Sequence, residues 1–108
     1  MSAERLQQLR ALLAEEPGDP FLRYAIALEL KRNGDILQAT RDLEALLLEH
    51  PDHVPSYYQL ALLLAEQDRR REAIAACDAG ALRCIVAGER KARTELLALK
   101  EALEDGDA

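Results

Sequence analysis

The chain has 108 residues, 49% of them hydrophobic and mostly Leu and Ala, with one Phe, three Tyr and no Trp. That length suits one domain able to bury a core, and a composition this rich in helix formers, without runs of Val, Ile or Thr, excludes an extended sheet. A net charge of −6 disfavours general binding to phosphate backbones.

The first helix is predicted over residues 3–16. Ser2 is read as its N-cap, Glu4 lies in the first turn, and Leu6, Leu9, Leu12 and Leu13 form one apolar stripe. Pro17-Gly18-Asp19-Pro20 stops it. Asp19 can cap the second helix, with Pro20 at its first position, where a missing N–H is harmless. The second helix spans 20–32, with Leu22, Ala25, Ile26, Ala27 and Leu30 inward. Asn33-Gly34-Asp35 ends it, because Asn and Gly tolerate left-handed backbone angles. The third helix covers 35–49, with Ile36, Ala39, Leu43, Leu46 and Leu47 as its stripe.

Pro51-Asp52-His53-Val54-Pro55 is the second break. The fourth helix follows over 55–67, with Leu60, Ala61, Leu63 and Leu64 apolar, and Asp68-Arg69 takes the place of Gly34-Asp35. The fifth helix covers 70–86 and stops at Gly88. The sixth covers 89–103, with Leu96, Leu97, Leu99 and Leu103 apolar, and an acidic, frayed tail follows. The longest apolar run, Leu60 to Ala65, is far short of the ~20 residues that span a bilayer. The first ten residues are charged from Glu4 onward and lack a signal-peptide apolar region. A cytoplasmic protein without membrane insertion is the expectation. Cys77 and Cys84 are seven apart in one helix, so their Cα atoms stand ~10 Å apart. A disulfide needs less than ~7 Å, so both are read as free, buried, small hydrophobes in a reducing compartment.

Residues 11–17 (ALLAEEP) recur as residues 45–51 (ALLLEHP), with five of seven positions identical. The offset of 34 is the length of one helix–turn–helix unit. Sliding 17–48 onto 51–82 matches Pro17 with Pro51, Tyr24 with Tyr58, Ala27 with Ala61, Leu28 with Leu62 and Ala39 with Ala73. Ala and Leu match readily by chance here; the proline and the tyrosine do not. Small residues at Ala27, Ala39, Ala61 and Ala73 let helix backbones approach, and Ile26, Leu30, Leu43, Leu60 and Leu64 fill the space beside them.

These positions resemble the tetratricopeptide repeat. In the second repeat Tyr57, Leu60, Ala61 and Leu64 stand at its first-helix positions, and Ala73, Cys77 and Gly80 at its second-helix positions. In the first repeat Ile26, Ala27, Leu30, Ala39, Leu43 and Pro51 match. Arg23 departs from the usual aromatic, Leu46 from the usual small residue, and no proline follows the fifth helix. The resemblance implies an all-α array of stacked antiparallel helical hairpins forming an α–α superhelix of about six helices. It would be a single domain over 1–108: a leading helix (3–16), repeat 1 (20–50), repeat 2 (54–86), a capping helix (89–104) and the acidic tail (105–108).

Stacked pairs of this kind place the first helix of each pair on a concave side. By helical spacing Phe21, Tyr24, Leu28 and Lys31 of the second helix, and Tyr58, Leu62 and Ala65 of the fourth, would line it. The result is an apolar, tyrosine-bearing groove; the alternative is that the first or sixth helix covers these residues. Tyrosine is a good anchor because it offers large area and a hydroxyl at low entropic cost. Some relatives grip a partner's C-terminal carboxylate through Lys and Asn on these faces, but Tyr24, Leu28 and Gln59 occupy the corresponding places here. An amphipathic helix or an apolar extended peptide fits better.

Chemistry has few candidates. His50 and His53 form a His-x-x-His pair with no Cys or third His near in sequence, so solvated turn residues are the expected reading and a metal site the lesser one. No phosphate loop, nucleophile elbow or HExxH motif occurs, and Ser2, Ser56, Thr40 and Thr94 lack an evident partner. Arg69-Arg70-Arg71 is answered by Glu72 and reads as a solvated turn. The expectation is a protein-binding scaffold without catalysis, cofactor or metal, with a homodimer as the alternative use of its apolar face.

Overall fold

The computed structural model describes residues 2–106, and all six elements among them are α-helices. The chain divides into two compact units, residues 1–50 and 51–108. The first holds α1 (Ser2–Glu15), α2 (Pro20–Arg32) and α3 (Ile36–Glu49); the second holds α4 (Val54–Glu66), α5 (Arg70–Ala87) and α6 (Arg90–Asp105).

Local chemistry sets most boundaries. The Asp19 carboxylate accepts hydrogen bonds from the N–H groups of Phe21 (2.8 Å) and Leu22 (3.4 Å), which starts α2 at Pro20. Asp35 does the same for α3 through the Gln38 N–H, so it caps that helix instead of opening it. Three helices end on one repeated device. The N–H of the residue after a left-handed turn residue bonds back to a carbonyl five residues earlier: Asp35 to Leu30, Arg69 to Leu64 and Glu89 to Cys84, each at 2.9 Å. The left-handed residues are Gly34 (φ 87°), Asp68 (φ 59°) and Gly88 (φ 73°).

α1 runs from Ser2, whose side chain, expected to cap the helix, lies outside the described residues. One expectation at a helix start is corrected. α4 begins at Val54 with Pro55 second, since the N–H of either position has no helical partner to lose. Of the expected acidic tail, Glu104 and Asp105 belong to α6, while 107–108 lie outside the described residues.

In the first unit α2 packs against both α1 and α3. Ile26, Ala27 and Leu30 of α2 and Ala39, Leu43 and Leu46 of α3 are all buried. Glu29 is also buried, 3% exposed, which the sequence did not reveal. Its carboxylate pairs with Arg5 of α1 (3.2 Å) and Arg32 (3.3 Å), so a paired charge ties α1 to α2.

In the second unit α5 packs between α4 and α6. Gly80 makes the closest approach: a Cβ there would stand 2.6 Å from Tyr57 Cβ and 2.9 Å from Leu96 Cδ1. Absence of a side chain lets Tyr57 and Leu96 lie directly on the α5 backbone. Lys100 of α6 reaches Asp78 of α5 at 2.9 Å.

Cys77 and Cys84 are free and buried, as their spacing implied. Burial pushes the Cys77 thiol up from 9.0 to about 11, with Asp78 adding to the effect; Cys84 is raised mainly by burial too. Both are therefore poor nucleophiles near neutrality. Between about pH 9 and 11 the folded chain holds thiol protons that the unfolded chain has lost, so stability falls as pH rises through that window. Lys100, raised by its hydrogen bond to Asp78, acts in the same direction. Melting temperatures measured from pH 7 to 11 are expected to drop above about pH 9. A flat profile would contradict the burial of the two thiols.

Candidate interaction surface

The residues expected to line a binding face are placed alike in the two units. In the first, Tyr24, Leu28 and Lys31 of α2 are half-buried, while Phe21 at the helix start is 76% exposed. In the second, Tyr58, Leu62 and Ala65 of α4 are half-buried. Positions 34 residues apart thus share one environment, neither sealed in the core nor fully solvated. In the second unit Ala65 borders an open cleft of about 450 Å³ with Asp68, Arg70, Ala102, Leu103 and Gly106. The end of α6 thus shares this cleft with the end of α4.

The first unit has its own cleft, of about 170 Å³, where α1, α2 and α3 meet. Leu13, Ile26 and Ala45 give it apolar walls, and Arg10, Arg23 and Asp42 border it. None of the expected binding residues lines it. Arg23 is already engaged, with Glu49 at 3.0 Å.

Among the described residues no cluster of three or more His, Cys, Asp and Glu is placed to hold a metal ion. His53 instead meets Ser56, Nδ1 to Oγ at 2.7 Å, a partner for Ser56 that the sequence reading missed. Ser56 is fully buried, so its hydroxyl ties the start of α4 to the preceding turn and is closed to a substrate.

The fully exposed large apolar residues lie mostly elsewhere. On α5, Leu82 is 66% exposed, Ile85 60% and Val86 86%. The sequence did hold a signal. Ala73, Cys77, Gly80 and Cys84 form the buried stripe of α5, and Ala75, Ala79, Leu82 and Val86 repeat the same spacing on the opposite side.

No protein-family model matches the sequence, and no curated protein does. Solved structures match well. The crystal structure of a tetratricopeptide repeat domain protein from Salinibacter ruber is 33% identical with a TM-score of 0.78, covering 81% of this chain and 98% of that one. The chain belongs to the tetratricopeptide-repeat family. A solution NMR structure of a tetratricopeptide repeat domain protein from the same organism is 34% identical with a TM-score of 0.79, covering 82% of this chain and 89% of that one. The solution structure of a Bordetella parapertussis protein, 23% identical with a TM-score of 0.82 and covering 95% of this chain and 90% of that one, shares the fold.

The two tetratricopeptide repeats solve one packing problem in two ways. Repeat 2 sets the large Tyr57 against Gly80; at the matching positions repeat 1 has Arg23 and a buried Leu46. Repeat 1 carries bulk on its second helix where repeat 2 has none. The polar partner has changed with it. Tyr57 donates its hydroxyl proton to the Pro51 carbonyl and lies within hydrogen-bonding reach of Arg83, whereas Arg23 pairs with Glu49, the residue matching Arg83. Two of the three departures from the family pattern, Arg23 and Leu46, thus fall at the positions that Tyr57 and Gly80 occupy in repeat 2.

Proposed function

We propose that this protein is a non-catalytic scaffold that binds an apolar peptide or amphipathic helix of a protein partner. The tetratricopeptide fold generally mediates protein–protein interaction. The observation that carries the finer reading is the shared half-burial of Tyr24 and Tyr58, and of Leu28 and Leu62, at a 34-residue offset. Half-buried aromatics offer area already fixed by packing, so little side-chain entropy is lost on binding. Phe21 and Lys31 extend the face on α2, and Ala65 extends it on α4. The net charge of −6 opposes nucleic acid as partner. No helix is long and apolar enough to cross a membrane among the described residues, and two unreactive free thiols suit the cytoplasm.

The test uses a fluorescein-labelled peptide with apolar residues at i, i+3, i+4 and i+7, selected by display against the protein. Tyr24→Ala and Tyr58→Ala together are expected to weaken its binding about tenfold or more, with the melting curve of the free protein still cooperative. Unchanged affinity in the double variant would reject these residues as the binding face.

A further inference from the structure

The outward face of α5 carries an apolar stripe from Ala75 to Val86, flanked by exposed charges and sorted by size. Ala75 and Ala79 stand towards the N-terminal end, Leu82 and Val86 towards the C-terminal end, with Ile85 beside them. All five are exposed. Their spacing of four, three and four residues is that of a helix–helix seam.

We propose that this face binds the same face of a second copy of the chain, with the two α5 helices antiparallel. A two-fold axis between residues 79 and 82 sets Ala75 of one copy opposite Val86 of the other, and Ala79 opposite Leu82. Each large side chain then meets a small one, so the face is its own complement and both ends close without a void. Parallel pairing would set alanine on alanine and leave a gap. Four exposed charges flank the stripe, Arg71, Glu72, Asp78 and Arg83, and the two acids are paired at home. Asp78, beside the stripe, is neutralised within its own chain by Lys100 at 2.9 Å, and Glu72 by Arg69 at 2.6 Å. Leu97 of α6 is exposed and lies one turn before Lys100, on the side of α6 that reaches Asp78. The stripe runs only about 17 Å from Ala75 to Val86, so the dimer is of the weak, reversible kind.

Sedimentation equilibrium on the full chain, from about 10 μM to 1 mM, is expected to show a monomer–dimer equilibrium. Leu82→Glu should weaken association at least tenfold while leaving the thermal melt unchanged, because Leu82 is exposed. A monomer throughout the range, with the face left for some other protein, would overturn the proposal. So would a dimer indifferent to Leu82→Glu. Orientation is read separately by mixing chains carrying Ala75→Cys with chains carrying Val86→Cys under mild oxidation. A mixed disulfide dimer is expected, with Cys77 and Cys84 protected by burial; linkage of Ala75→Cys chains to each other would refute the antiparallel arrangement.

Discussion

Replacing Leu60 by Asp is expected to abolish the cooperative thermal transition of the second unit. Leu60 is 7% exposed on α4. Removing a buried leucine side chain costs about 2–5 kcal/mol, and a carboxylate left there without a partner costs several more. A whole domain has about 5–15 kcal/mol to lose. Burial would raise the carboxyl pKa, so any residual stability would be greatest at low pH and would vanish as pH rises through the folded-state value. Leu82→Asp is the control, since Leu82 is 66% exposed and its replacement should leave the melt cooperative. A native-like transition in Leu60→Asp, followed by circular dichroism, would show that α4 does not pack through this stripe.

Gly80→Ala carries the second large effect, and its sign decides between two arguments. Helix propensity alone favours Ala over Gly by about 1 kcal/mol within a helix. Against it stands a Cβ placed 2.6 Å from Tyr57 Cβ, an atom close to the α4 backbone that cannot swing away as a side-chain tip could. Overpacking of this kind costs about 1–3 kcal/mol, so the variant is expected to melt several degrees lower, and Gly80→Val lower still. A variant as stable as the parent, or more so, would contradict the close approach of α4 and α5.

The sequence exposed those parts of the fold that rest on local chemistry. α2 was predicted at its observed limits because an Asp-Pro start and an Asn-Gly stop act within one turn of chain. The Cys77 and Cys84 burial followed from seven-residue spacing, which returns a side chain to the same helical face. Features that depend on a second helix were hidden. Glu29 reads as a solvent-facing acid until Arg5 arrives from α1 to pair with it. Arg23 and Leu46 look like two independent faults in the repeat until each is set beside Tyr57 and Gly80. Leu82, Ile85 and Val86 were passed over because α5 is apolar on both sides, and sequence alone does not say which side meets α4 and α6. The binding face is an intermediate case: the matching tyrosines were legible from the 34-residue offset, their half-burial was not.

The central claim is that the α2 and α4 faces receive the partner. Its most direct test is a ¹H–¹⁵N correlation spectrum of the labelled protein, recorded during titration with the display-selected peptide. The account predicts shifts concentrated at Phe21, Tyr24, Leu28 and Lys31 and at Tyr58, Leu62 and Ala65. Shifts confined to the outer face of α5 or to the cleft around Arg10 and Arg23, with these residues unmoved, would contradict it.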